Sequence, residues 1–118
     1  MALAKTSISP IVSITGVTTV GIYTNPVNTK TYIKAFVLHN AGVSSAFCRL
    51  YDVVNSAGSV GTASSNNQFF SQYINPGETT FLEYSYPLTL ANTNDSIRFY
   101  NSVANQVVNI QILGDRDP

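Results

Sequence analysis

Charged side chains are scarce in this sequence. They make up 10% of its 118 residues, and six basic groups balance six acidic ones. Ordinary soluble domains carry about 25%. Without net charge there is no long-range field to gather nucleic acid or anionic lipid, and the lysines and arginines are dispersed along the chain. Tryptophan is absent, and cysteine and histidine occur once each, as Cys48 and His39. A single cysteine excludes an intramolecular disulfide and any multi-cysteine metal site. Cys48 alternates with apolar neighbours and reads as a small buried hydrophobe. No unbroken apolar run exceeds four residues, as at 35–38, far below the 18 or more of a membrane-spanning helix, and residues 1–10 lack the apolar stretch of a signal peptide. The expectation is a soluble chain made in a reducing compartment, with neither membrane nor nucleic acid as a partner.

What is abundant points to strands. Hydrophobic residues at 44% exclude a disordered tail and suffice for one core in a chain of this length. Val, Ile, Thr, Phe and Tyr together number 46, whereas Glu occurs twice and Lys three times. Uncharged polar residues (Ser, Thr, Asn and Gln) number 41, and such a surface can be covered by a partner at lower desolvation cost than a charged one. Period-2 alternation marks strands at residues 8–15, 17–23, 31–40, 46–54, 68–74, 80–86, 96–101 and 107–113. In the last, Val108, Ile110 and Ile112 are expected inward. Residues 31–40 are apolar on both faces and read as a central strand covered on both sides. Turn residues separate these runs, among them Asn75-Pro76-Gly77-Glu78 and Asn92-Thr93-Asn94-Asp95. The fold class is all-β: an antiparallel β-sandwich, jelly-roll-like, of about eight strands. Residues 1–10 form an N-terminal arm, 11–114 the sandwich and 115–118 a polar tail. One connection, residues 55–67, is long, small-residue and polar, as functional or mobile loops are.

The residues that catalysis would need do not assemble in the sequence. A nucleophile requires a base and a group to orient it; His39 is the only imidazole, and no serine lies in a G-x-S-x-G elbow. At the exit of a strand beside Asn40, His39 reads as a satisfied structural residue. Zinc wants several Cys or His ligands, and the chain has one of each. Asn92, Asn94 and Asp95, or Asp115 and Asp117, lack an EF-hand pattern and read as turn formers. No phosphate-binding glycine motif is present. The expectation is a protein that is not an enzyme and uses no cofactor or metal. Six aromatics, Phe69, Phe70, Tyr73, Phe81, Tyr84 and Tyr86, flank the Asn75–Glu78 turn on two strands expected to pair. They read as sheet-stabilising neighbours in preference to a sugar-binding platform.

A larger pattern remains. A strand ending in Leu38-His39-Asn40 leads to Cys48-Arg49-Leu50-Tyr51-Asp52-Val53, then to Asn75-Pro76-Gly77-Glu78, to Asp95-Ser96-Ile97-Arg98-Phe99-Tyr100 and to a closing Val108-Asn109-Ile110-Gln111-Ile112-Leu113-Gly114. Over residues 31–114 this resembles the small β-sandwich modules of tailed-bacteriophage virions. The chain departs from their pattern where Asn94 stands in place of the usual glycine before Asp95. A free-standing domain of this kind is most similar to a capsid decoration (cement) protein. The resemblance implies a virion structural protein, made in the host cytoplasm, that binds the outer surface of an icosahedral phage head at the major capsid protein and stabilises it. It also implies a homotrimer and a contact made by an N-terminal arm. The alternative is a tail, neck or fibre adaptor, with receptor or carbohydrate binding. With the core strands committed to the sandwich, contact falls to the arm and the long loop. The candidate contact residues are Leu3, Lys5 and Ile8 on the arm and Ser56, Ser59 and Thr62 on the loop. The arm suits strand addition to a partner sheet, with small apolar anchors.

Overall fold

Strands form where β-branched and aromatic residues concentrate, and asparagine and glycine turn the chain between them. The computed structural model describes residues 4–7, 11–15, 18–56, 59–60, 63–102 and 107–117. The strands are β1 (Ala4–Ser7), β2 (Val12–Thr15), β3 (Thr18–Thr24), β4 (Lys30–Asn40), β5 (Ala46–Val53), β6 (Asn55–Ser56), β7 (Ser59–Val60), β8 (Gln68–Ile74), β9 (Thr79–Leu90), β10 (Ser96–Asn101) and β11 (Val107–Asp117). All strand pairs are antiparallel. Among the described residues no helix is long and apolar enough to cross a membrane.

Sheet A has β11 and β4 at its centre, with β9 on one edge and β1 and β2 sharing the other. Ala4–Ser7 lies along residues 116 to 113 of β11, and Val12–Thr15 along residues 110 to 107. Sheet B has the order β3-β10-β5-β8. Each sheet therefore has four strand positions, matching the expected eight. The order β2-β11-β4-β9 over β3-β10-β5-β8 is that of a jelly roll, a double-sheet closure of two Greek keys. Phe36, Leu38, Ile110 and Ile112 from sheet A meet Leu50, Ile97 and Phe99 from sheet B in a core closed to solvent. Full burial of each such side chain contributes roughly 1.5–3 kcal/mol.

Three sequence expectations are corrected by this pairing. The apolar residues on both faces of β4 do not reflect two covered faces. A β-bulge at Lys34 shifts the register, so Thr31 and Ile33 before it and Phe36 and Leu38 after it are all buried. On β9 the same irregularity is larger: residues 84–87, including Pro87, stand opposite Lys34 alone. Second, β8 and β9 do not pair; β8 joins β5 and β9 joins β4, so the Asn75–Glu78 turn crosses from sheet to sheet. The six aromatics therefore separate. Phe69 and Tyr84 close on Phe36 in the core, with ring centroids 5.7 and 6.3 Å from it. Tyr73 and Phe81 are 66% and 56% exposed on different sheets, so there is no single platform. Third, residues 115–117 continue β11, where Asp115 is buried and its carboxylate lies 2.8 Å from Lys34 Nζ.

Candidate functional site

Strand direction sorts the loops into two groups. At one end of the sandwich lie the start of β1, the end of β11, the β3–β4 and β9–β10 turns and the root of the 55–67 connection. At the other lie the β4–β5 and β8–β9 turns and the start of β11. A buried asparagine organises each end.

At the first end Asn25 has no solvent exposure. Its Nδ2 donates to the carbonyls of Thr29 (2.7 Å) and Asn92 (2.9 Å), and its Oδ1 accepts from Thr31 Oγ1 at 2.6 Å. Its backbone N–H donates to Asp95 O, and its carbonyl accepts from Asn94 N. The amide thus locks the β3–β4 turn onto the β9–β10 turn. Asp95, also buried, accepts from Asn55 N at 2.7 Å with one carboxylate oxygen and from Asn92 N at 2.9 Å with the other. Asn55 Nδ2 donates in turn to Thr93 O. The long connection is therefore anchored at its root to the same two turns. Asn94, the departure from the virion-module pattern, has φ 67. The position demands a left-handed residue, and asparagine supplies the conformation that glycine otherwise would. A polar groove of about 520 Å³ opens here between Asn28, Thr29, Lys30, Asn92, Thr93 and Asp117.

At the second end Asn40 is equally buried. Its Nδ2 donates to Ser44 O (2.9 Å) and Ile74 O (2.8 Å), while its Oδ1 accepts from Gly42 N. Gly77, at φ 77, donates its N–H to Asn40 O. His39 Nδ1 lies 2.8 Å from Thr79 Oγ1 on the neighbouring strand, a local pairing in keeping with a structural role.

The predicted contact residues are distributed as follows. Lys5 is in β1, opposite Asp115 of the chain's own β11. Ser56 and Ser59 are register partners in the two-stranded ribbon of β6 and β7 within the 55–67 connection. Leu3, Ile8 and Thr62 lie outside the described residues. The arm strand and the root of the long loop, which the sequence treats as separate candidates, reach the same end of the sandwich. Part of the arm is an edge strand of its own sheet.

The outer face of sheet B was not anticipated. Arg98 of β10 lies opposite Tyr51 of β5, and the next outward pair is Tyr100 opposite Arg49. Arginine and tyrosine alternate in a two-by-two square across the two central strands. The Arg49 guanidinium stands 4.8 Å from the Phe47 ring centre and 5.4 Å from that of Tyr100. Phe47 meets Tyr73 in a tilted ring contact, with centroids 4.7 Å apart. Such cation–π contacts fix the Arg49 side chain in place. The square requires the pairing of strands more than 40 residues apart, and no local motif in the sequence announces it.

Inside the sandwich, Asp52 Oδ1 and Tyr84 Oη are buried without a hydrogen-bond partner. Burial and then the Asp95 charge raise the Asp52 pKa above 3.8, and burial and then Asp52 push the Tyr84 hydroxyl up to about 12. Burial also lifts the Cys48 thiol to about 11. Among the described residues no three His, Cys, Asp or Glu side chains gather as metal ligands would. No protein-family model and no curated protein matches the chain.

Proposed function

We propose that this chain is a virion structural protein, a capsid decoration protein that binds the outside of an icosahedral phage head and stabilises it by bridging neighbouring copies of the major capsid protein. The observation that carries the reading is that the start of β1 and the root of the 55–67 connection lie at the same end of the jelly roll, where the turns are locked by Asn25 and Asp95. Rigidly braced loops with few charges lower both the ordering and the desolvation costs of docking. The fold supports it by analogy alone, since jelly rolls serve viral capsids and lectins as well as cupins. The homotrimer and the capsid-surface location belong to the same reading, from the sequence resemblance.

Counting copies per purified particle by quantitative mass spectrometry tests it. Hundreds of copies, arranged on the shell in a cryo-EM map, are the expected result. A handful of copies at the tail or neck selects an adaptor, and absence from the particle rejects both. One observation favours the adaptor reading: exposed Tyr73, in tilted contact with Phe47, which Arg49 overlies, offers a sugar ring an aromatic surface with a hydrogen-bond donor nearby. A glycan array distinguishes it by binding that Tyr73→Ala abolishes.

A further inference from the structure

The structure assigns an oxyanion-binding site to the outer face of sheet B, in a cleft of about 350 Å³ lined by Gly21, Thr24, Asn94, Ser96 and Arg98. Its ligand is a phosphate or carboxylate group. The assignment does not depend on the capsid reading.

Three observations converge on it. Ser96 is 5% exposed, and its hydroxyl is buried with no hydrogen-bond partner in the protein. Arg98 Nε is buried and equally without a partner. Both residues line the same cleft. An arginine Nε–H and a serine O–H are donors, and buried donors are rarely left unmatched. A guanidinium edge beside a hydroxyl is complementary to an oxyanion, whose lone pairs accept charge-assisted hydrogen bonds.

The charge balance agrees. Arg98 forms no ion pair among the described residues. The acid nearest in sequence, Asp95, has both carboxylate oxygens engaged by backbone N–H groups of Asn55 and Asn92. Across the strands Arg98 is flanked by Tyr51 on β5 and by Gly21 on β3. A Cβ added at Gly21 would meet open space, so the missing side chain leaves the β3 side of Arg98 uncovered without any packing need for glycine. Arg49 Nε is likewise buried without a hydrogen-bond partner, but its guanidinium lies against the Phe47 and Tyr100 rings and it does not line the cleft.

The three arginines of the chain make the test direct. In the ¹⁵N-labelled protein each gives one Nε–Hε signal, and inorganic phosphate and sodium acetate are titrated separately at constant ionic strength against a sodium chloride control. The expected result is a saturable shift of the Arg98 signal and of the Ser96 and Asn94 amides, with Arg49 and Arg116 following the chloride control. Saturation by phosphate alone assigns a tetrahedral ligand, by acetate alone a carboxylate, and by both the shared chemistry. Gly21→Val fills the cleft while leaving Arg98 in place, and a dispersed amide spectrum verifies its fold. It should abolish the saturable shift, and Ser96→Ala should weaken it. Equal drift of all three arginine signals, no shift beyond chloride, or a shift unchanged in Gly21→Val overturns the assignment.

Discussion

The Asn25 amide accepts a 2.6 Å hydrogen bond from the Thr31 hydroxyl, and the same hydroxyl lies 2.9 Å from Tyr23 Oη. Arg116 Nε donates to that Tyr23 oxygen at 3.2 Å. A chain of polar contacts thus runs from the β3–β4 turn to the end of β11, through residues buried or nearly so. Interior networks of this kind rigidify when every member is satisfied and are costly when one is removed.

Asn25→Ala should therefore destabilise the domain by about 3 kcal/mol, because the carbonyls of Thr29 and Asn92 and the Thr31 hydroxyl all lose a partner at once. Asn25→Asp should be comparably harmful, since a carboxylate cannot donate to two carbonyls. Urea unfolding measures both. Substitution of exposed Asn66 by Ala is the control and should stay within about 0.5 kcal/mol of the parent.

Asp52→Asn should stabilise the protein at neutral pH. The folded state raises the Asp52 pKa above its ordinary 3.8, chiefly by burial and then through Asp95. The unfolded chain consequently ionises first, and stability falls as pH climbs from 3.8 to the raised value. The neutral amide removes that loss. Thermal melts should give the variant a higher Tm at pH 7, with the advantage gone below 3.8, where Asp52 is protonated in both states.

Cys48 should be inert to thiol reagents while the protein is folded. With its thiol lifted to about 11, the thiolate fraction at pH 8 is roughly one in a thousand, and the side chain has no solvent exposure. Ellman's reagent should label it only at the rate of unfolding, and fully in denaturant. The same shift makes stability decline as pH rises past 9.0, where the unfolded thiol ionises first.

Deleting residues 2–9 should remove β1 and uncover the edge of β11 from Leu113 to Arg116, while β2 and β4 still hold that strand. The expected product is a folded sandwich with its Tm lowered by a few degrees and, on the decoration reading proposed above, greatly weakened attachment to the shell. Circular dichroism and co-sedimentation with undecorated shells separate the two effects. Unchanged occupancy would move the contact to the long connection or to another sheet edge.

How much of this was legible depended on whether a feature is local. The bounds of β8 and β10 and the inward facing of Val108, Ile110 and Ile112 follow from alternation alone, and all three side chains are buried. The β4 facing failed because one inserted residue, Lys34, reverses the phase of everything after it, and a bulge leaves no mark in hydropathy. The supposed β8–β9 hairpin failed because Asn75-Pro76-Gly77-Glu78 turns the chain equally well within a sheet or between sheets. Asn25 and Asn40 look like ordinary turn residues until the partner turn, 67 positions away for Asn25 and 34 for Asn40, is in place. The Ser96–Arg98 cleft needs β3 beside β10, a pairing that only the closed topology reveals.

The position of β11 sets the timing of folding. It is the last strand along the chain, yet it sits between β4 and the β1–β2 edge in sheet A. No part of that edge can form while β11 is still being synthesised. At about 5–20 residues per second, β4 waits several seconds on the ribosome for its central partner. The jelly roll is thus assembled after synthesis of β11, through contacts distant in sequence, which is the slow regime for small domains. A nascent chain stopped before Val107 should remain unfolded, with its apolar strands dependent on chaperones to stay out of aggregates.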